Sequence, residues 1–154
     1  MTAITLLVGS VYGGAELVAE TATEELTRLG HTVNSPRPPD VDDLLDDKMD
    51  MLLICTSTTG AGDLPDELVP LHQTIVDTPP RIVGLPYTLV ILGDSSYDTF
   101  CGGGKALDAA LTDIGAARIC EPLLIDAMEV DEPEVEALPW IVEVVANFKP
   151  AEVE

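Results

Sequence analysis

The sequence predicts an α/β protein, a doubly wound sheet of five parallel strands with helices on both faces. Short apolar runs typical of buried strands alternate along the chain with amphipathic segments typical of helices, and this alternation favours parallel strands joined by right-handed crossovers. The 154 residues, 46% of them apolar, also suffice for one hydrophobic core. Because no repeat or linker interrupts the pattern, we expect a single domain over residues 1–154.

Two of the predicted helices end at residues that stop a helix. Gly30 stops the first helix and the Pro79-Pro80 pair stops the second. Apolar residues of the first helix have helical spacing, at Leu17, Val18, Ala22 and Leu26. The predicted elements are strand 3–8, helix 15–29, a short extended piece 32–34, an acidic segment 40–50, strand 51–55, helix 66–76, strand 87–92, helix 105–114, strand 117–125 and helix 133–148.

Acidic side chains dominate the charge of the chain. It has 28 Asp and Glu residues against 7 Lys and Arg residues, a formal net charge of -21. Such a surface repels nucleic acids and anionic lipids and attracts a basic protein partner. A role in solubility or in a salty environment explains the charge equally well. No apolar run approaches the roughly 20 residues that span a bilayer, and no basic segment precedes the first one, so we expect a cytoplasmic protein that does not enter the membrane.

The cysteines do not form a metal-binding pattern. Cys55, Cys101 and Cys120 are an odd number without a C-x-x-C pair, and His31 and His72 are far from each of them in sequence. We therefore expect neither a structural disulfide nor a metal site.

The loop after the first strand is small, glycine-rich and opens a helix. Backbone N–H groups at a helix start can hold a phosphate without a cationic side chain. A plain strand-to-helix turn explains the same residues equally well. The spacing of the glycines does not match the G-x-G-x-x-G dinucleotide fingerprint. The candidate phosphate loop consists of Ser10, Val11, Tyr12, Gly13, Gly14 and Ala15.

The loop after the strand at residues 51–55 carries hydroxyl groups and glycines. Hydroxyls can bond phosphate or ribityl oxygens, and glycine lets the backbone approach a ring closely. A polar turn that caps the next helix through Asp63 or Asp66 is the alternative. The candidate residues are Thr56, Ser57, Thr58, Thr59, Gly60 and Gly62.

The loop after the strand at residues 87–92 is the third candidate. Tyr97 offers a stacking face, and the surrounding backbone offers donors and acceptors for a ring edge. Tyr97 could instead be a half-buried packing aromatic. Ligands of open α/β sheets bind at the carboxyl ends of the strands, so the three loops together predict a site for a flat, phosphorylated ligand. The candidates of this loop are Gly93, Asp94, Ser95, Tyr97, Asp98, Phe100 and Cys101.

The chain resembles the flavodoxin family over essentially its whole length, and two of the motifs are long enough to be specific. Residues 56–65 (TSTTGAGDLP) and 93–101 (GDSSYDTFC) are most similar to its MioC-type, short-chain members and to the FMN domains of diflavin reductases. The resemblance implies a flavodoxin-like three-layer sandwich with strand order 2-1-3-4-5. It also implies non-covalent FMN and single-electron transfer.

The same resemblance assigns roles to residues of the three loops. Residues 10–15 would hold the FMN phosphate, with Thr56, Ser57, Ser95 and Phe100 in the wider site. Asp126, after the last strand, corresponds to an acid near the ring, where negative charge disfavours the anionic reduced flavin. The inner side of the ring would be lined by Thr58, Thr59, Gly60 and Gly62, and the outer side by Gly93, Asp94, Cys101, Asp98 and Tyr97, the last of which stacks on the ring.

Three positions depart from the family pattern. Val11 stands where a hydroxyl residue is usual, Tyr12 where a small residue is frequent, and Thr59 where a ring often flanks the flavin. We expect FMN to bind nevertheless, with weaker affinity or a shifted potential, because one aromatic contact contributes only about 1 kcal/mol.

The resemblance implies an FMN-binding flavodoxin that acts as a low-potential one-electron carrier, with no substrate chemistry of its own. Its expected partners are a basic-surfaced flavin reductase and acceptor redox enzymes, bound transiently by a monomer. The acidic rim that would attract them consists of Asp63, Asp66, Glu67, Asp126, Glu129 and Asp131.

Other functions of the same fold class remain as alternatives. The departures at Val11 and Thr59 allow a regulatory or interaction module that has lost FMN. A two-component receiver needs acidic residues where this chain has Gly9-Ser10 and Cys55-Thr56, which disfavours it. So short a chain also leaves little material for the second substrate pocket of a nicotinamide-dependent quinone reductase.

Overall fold

The chain forms a parallel sheet with helices on both faces. The computed structural model describes residues 2–10, 13–59, 62–94 and 101–149. The strands are β1 (Ala3–Gly9), β2 (Thr32–Asn34), β3 (Met51–Thr56), β4 (Pro86–Gly93), β5 (Ala117–Arg118) and β6 (Leu123–Asp126). The helices are α1 (Gly14–Arg28), α2 (Val69–Asp77), α3 (Gly102–Asp113) and α4 (Pro133–Asn147), with a short 3-10 helix at Val41–Leu45.

The strand order confirms the predicted fold class. The sheet runs β2-β1-β3-β4-β5, with β6 also paired to β4, and every pairing is parallel. Buried residues form two clusters, one between the sheet and α1 and α4, the other between the sheet and α2 and α3. The central strands β3 and β4 have helices on both faces, which explains their continuous apolar runs.

The fifth position of the sheet differs from the predicted strand at residues 117–125. Two short strands, β5 and β6, occupy it, and the chain between them leaves the regular ladder. Pro122 lies in this interruption, has no N–H to donate and restricts the residue before it. An edge strand is the place where a sheet accepts such a residue.

Two predicted helix starts were wrong. The helix predicted from residue 66 begins at Val69, because Pro70 fits only in a first helical turn. The predicted caps Asp63 and Asp66 do not cap it: Leu68 is the N-cap residue, and no side chain bonds the helix end. The helix predicted from residue 105 begins at Gly102. The low helix propensity of glycine favours a later start, but these glycines are needed for packing.

Smaller differences concern the first helix and the acidic segment. Leu17 belongs to the predicted apolar spacing but is 45% exposed, whereas Val18, Ala22 and Leu26 are buried. The acidic segment contains the 3-10 helix, which Asp40 caps by accepting a hydrogen bond from the N–H of Asp42 at 3.4 Å. Among the described residues, no helix combines the length and the apolar character that crossing a bilayer requires.

Candidate functional site

The strand register brings the three candidate loops to one edge of the sheet. Gly9 lies opposite Thr56 at the ends of β1 and β3, and Gly93 lies opposite Asp126 at the ends of β4 and β6. The N–H of Ser57 donates to the carbonyl of Gly9 at 2.9 Å. This bond connects the loop at residues 56–62, the hydroxyl loop, to the end of β1, directly before the phosphate loop. This edge is therefore built from segments that are distant in sequence.

The phosphate loop presents backbone donors at the start of α1. Gly13 is the N-cap residue with a φ of +87°, a conformation that favours glycine, and no side chain caps the helix. The hydroxyl of Ser10 accepts a hydrogen bond from the N–H of Gly13 at 2.8 Å and so closes the loop on itself. The N–H groups of Gly14, Ala15 and Glu16 precede the first helical hydrogen bond, which Leu17 donates to Gly13.

The hydroxyl loop uses its side chains mainly to hold its own shape. Thr56 is fully buried and donates to the carbonyl of Ser57 at 2.9 Å. Thr58 donates to the carbonyl of Leu92 at 2.7 Å, which connects this loop to the end of β4. These two hydroxyls therefore position the loop and do not point to ligand oxygens as free donors.

Thr59 closes a turn with Asp63. Its N–H donates to the carbonyl of Asp63 at 2.9 Å, and its hydroxyl accepts from the N–H of Asp63 at 3.0 Å. The N–H of Gly62 also donates to the carbonyl of Thr59 at 2.9 Å. The hydroxyl thus gives Thr59, one of the departures from the family pattern, a structural role in closing this turn.

The first turn of α3 packs closely against the backbone that follows the hydroxyl loop. A Cβ on Gly103 would lie 2.4 Å from the backbone nitrogen of Leu64 and 2.6 Å from the carbonyl carbon of Asp63. Only glycine allows this approach of helix and loop. This role of the Gly102–Gly104 run was not predicted, although three consecutive glycines at a helix start are a local signal for it.

Cys101 lies under the site, and its side chain belongs to the core. It is the N-cap residue of α3 with a φ of +56°, it is fully buried, and its thiol lies 3.7 Å from the carbonyl of Ile91. Burial, as the main cause, raises the pKa of the Cys101 thiol to about 11. The thiol is thus protonated at neutral pH, and any contact of this residue with a ligand falls to its backbone.

A cleft of about 330 Å³ opens between the phosphate loop and the ends of β4 and β6. Asp126 lies at its border, half-buried, and accepts a hydrogen bond from the N–H of Met128 at 3.0 Å. Most of the lining residues were not among the predicted ones, since only the register shows that these segments converge. The cleft is lined by Gly14, Leu92, Gly93, Ile125, Ala127, Val130, Asp131 and Pro133.

Part of the predicted site lies outside the described residues. These positions are Val11, Tyr12, Gly60, Ser95, Tyr97, Asp98 and Phe100, and their roles stay predictions. The structure brings together the described ones: Ser10, Gly13, Gly14, Ala15, Thr56, Ser57, Thr58, Thr59, Gly62, Gly93, Asp94, Cys101 and Asp126.

The described residues fit the phosphate end of FMN. A cradle of N–H groups at a helix start suits a phosphate, and the glycines of the adjoining cleft leave room for a flexible chain. No cluster of three or more His, Cys, Asp or Glu side chains that could hold a metal occurs in the described ranges. Cys55, Cys101 and Cys120 are free thiols.

Comparisons with known proteins identify the family. The family model described as Flavodoxin matches residues 6–140. Flavodoxin YqcA of Escherichia coli (strain K12) is 47% identical over 141 residues, which cover 92% of this chain and 95% of that protein. Protein MioC of the same strain is 37% identical over 141 residues, with 92% and 95% covered. A cysteine-to-serine mutant of flavodoxin from Pseudomonas aeruginosa superposes with a TM-score of 0.84 at 40% identity, with 94% and 97% covered. The chain therefore belongs to the flavodoxin family, whose cofactor is FMN.

Proposed function

We propose that this chain is a single-domain, monomeric FMN protein that carries single electrons at low potential from a basic-surfaced flavin reductase to acceptor redox enzymes. The observation that carries the proposal is the meeting of the N–H cradle of α1, the hydroxyl loop and the end of β4 at one sheet edge. The proposed cofactor site consists of the twenty positions predicted above, described and undescribed. The predicted cytoplasmic location stays part of this proposal.

FMN would supply the redox chemistry, and the chain would bind it and adjust its environment. The N–H groups of Gly14, Ala15 and Glu16 would hold the phosphate. Asp126 lies opposite Gly93 at the ends of β4 and β6, where the resemblance would put the flavin ring. A carboxylate there opposes additional negative charge on the reduced flavin, which supports a low potential.

Binding of FMN is the first test. Titration of the apoprotein with FMN should quench flavin fluorescence saturably, and stepwise reduction of the complex should produce a spectrum distinct from both the oxidised and the fully reduced flavin. A protein that leaves micromolar FMN fluorescence unchanged would contradict the proposal and favour a module without cofactor. Failure of the bound flavin to accept electrons from an obligate one-electron donor would contradict the single-electron role.

The acidic rim supports the choice of partner, with one correction. Asp63, Asp66, Glu129 and Asp131 are exposed, but Glu67 is paired with Arg37 and is not an unpaired charge for a partner. Asp63 and Asp66 line a groove of about 460 Å³ that also includes Thr59. This groove would place a basic partner next to the hydroxyl loop, on the side from which the flavin would be reached.

Charge-neutral variants test the docking surface. Asp66→Asn should slow reduction by a basic reductase at low salt and weaken the dependence of the rate on ionic strength, because exposed charges act mainly on association rate. Asp113→Asn is the matched control, since Asp113 is exposed at the opposite end of α3. Equal rates for both variants and the original protein, or rates that do not fall with added salt, would argue against electrostatic docking.

A further inference from the structure

Arg37 connects two acidic residues of different segments, Glu16 directly after the phosphate loop and Glu67 directly before α2. Its guanidinium Nη2 donates to Glu16 Oε1 at 2.7 Å and to Glu67 Oε2 at 2.6 Å, and its Nε donates to the same oxygen of Glu67 at 3.1 Å. The three side chains come from the segment after β2, the first turn of α1 and the segment before α2. One side chain thus joins three elements.

Both carboxylates are anchored close to the phosphate cradle. Glu16 lies in the first turn of α1, and its own N–H is one of the cradle's donors. Glu67 directly precedes Leu68, whose Cγ and Cδ1 atoms lie 2.7 and 2.6 Å from the place that a Cβ on Gly9 would occupy. Leu68 therefore packs against the base of the loop, and a displacement of Glu67 would disturb that contact.

The local charge gives Arg37 a second effect. The phosphate loop itself, residues 10–15, contains no cationic side chain, and the chain has only 7 Lys and Arg residues. A phosphate monoester carries about −1.5 to −2 charges at pH 7, which the carboxylates of Glu16 and Glu67 would oppose. The hydrogen bonds to Glu16 and Glu67 raise the pKa of Arg37, whose guanidinium is charged at neutral pH in any case and offsets this repulsion.

We propose that Arg37 is a positioning residue for the phosphate of FMN, acting through Glu16 and Glu67. It holds the first turn of α1, directly after the phosphate loop, to the segment before α2, which packs against Gly9 directly before the loop, and it reduces the negative charge that the phosphate meets. The inference rests on the FMN binding proposed above. It concerns the phosphate alone, so riboflavin, which lacks it, provides the reference ligand.

The test compares binding of FMN and riboflavin to the apoprotein. Arg37→Gln should raise the Kd for FMN about threefold to tenfold, the range that two partly exposed ion pairs allow, and leave the Kd for riboflavin within about twofold. Arg28→Gln is the matched control, because it removes the same charge and an ion pair with Glu25 in the last turn of α1. About 18 Å of helix separates that turn from Glu16, so both Kd values should stay at their original level.

Two further variants separate the effect of the charge of Arg37 from that of its contacts. Arg37→Lys keeps the charge but not the fork of donors, and it should give an intermediate Kd for FMN. The triple variant Arg37→Gln, Glu16→Gln and Glu67→Gln removes the unpaired acids together with the positioning contacts, so it should recover only the part of the affinity that the charge of the acids takes away. Thermal unfolding of each apoprotein shows which variants are folded, and Arg37→Lys is expected to be folded in any case.

The outcomes distinguish this inference from the function on which it rests. Unchanged FMN binding in Arg37→Gln, an equal loss for FMN and riboflavin, or full recovery in the triple variant would overturn the positioning role of Arg37 and leave the carrier function standing. Absence of FMN binding in the original protein would overturn both.

Discussion

At the scale of single residues, Tyr87 shows how the core accommodates a polar group. It is fully buried at the amino end of β4, and its hydroxyl donates to Asp108 Oδ1 at 2.5 Å and lies 2.7 Å from Thr112 Oγ1. Arg118 of β5 donates to the other carboxylate oxygen of Asp108 at 2.7 Å. The network connects α3 to the sheet at the end opposite the candidate site. It also gives the buried hydroxyl of Tyr87 its partners, without which burial would cost about 1–3 kcal/mol.

Removing this hydroxyl should change both stability and its pH dependence. Tyr87→Phe should lower the free energy of unfolding by about 1 kcal/mol at pH 7, since Arg118 still satisfies Asp108. Burial first, and then the hydrogen bond to Asp108, raise the pKa of Tyr87 to about 12. A raised pKa contributes stability that is present below the unfolded pKa, about 10, and is lost towards pH 12.

The stability of the original protein and that of Tyr87→Phe should therefore converge above pH 10, by up to about 1.4 kcal/mol per pH unit. Urea unfolding between pH 7 and pH 11 measures this difference. Burial also raises the pKa of Cys55 to about 12, but that decline is common to both proteins and cancels in the comparison. A difference that stays constant with pH would show that Tyr87 does not ionise on unfolding in this range.

At the scale of elements, α1 is flanked by two glycines that share a left-handed conformation but differ in their distance from the phosphate loop. Gly13 has a φ of +87° and Gly30 a φ of +95°, and nothing lies within 4 Å of a Cβ placed on either. Gly13 precedes the N–H groups of the phosphate cradle, whereas Gly30 follows the last turn. The two positions therefore separate backbone strain from cofactor binding.

Replacing each of these glycines by alanine should give equal loss of stability and unequal loss of binding. Gly13→Ala and Gly30→Ala should each lower the free energy of unfolding of the apoprotein by about 1–2 kcal/mol, the cost of a left-handed conformation with a Cβ. Only Gly13→Ala should also raise the Kd for FMN, by about tenfold, because relaxation of its backbone would redirect the donors. Equal FMN affinity in the two variants would argue that the cradle does not hold the phosphate.

At the scale of the whole molecule, negative charge opposes the folded state. The formal net charge is -21, and Arg28, Arg37 and Arg118 form ion pairs that offset a small part of it. The remaining acids repel one another over the surface. Such repulsion weakens as salt shortens the screening length from about 30 Å at 0.01 M to about 10 Å at 0.1 M.

Added salt should therefore stabilise the apoprotein. We expect Tm to rise by about 3–6 °C between 10 mM and 0.5 M NaCl, which corresponds to about 1–2 kcal/mol for a chain of this size. KCl should give the same rise if screening is the cause, and Glu20→Lys, at an exposed position on α1, should reduce it. An unchanged or falling Tm would mean that self-repulsion is not a significant part of the stability.

The local pattern of the sequence was sufficient for most of the fold. The strands at residues 3–8, 51–55 and 87–92 were predicted to within one residue at each end, because buried parallel strands are continuous apolar runs. The start of α2 also carries a local signal, Pro70, that the sequence analysis did not weigh. The start of α3 does not, since its glycines serve a contact with Asp63 and Leu64, about 40 residues earlier.

The sequence by itself determined that this is a doubly wound α/β protein of the flavodoxin type with three ligand loops, because periodicity, turn residues and motifs are local properties. Only the tertiary structure decided how those loops are held. Thr58 bonds Leu92 across 34 residues, and Arg37 bonds Glu67 across 30. Such contacts depend on strand register and on the approach of distant segments. The spacing of residues along the chain therefore does not show with which of the many acids Arg37 forms its ion pairs.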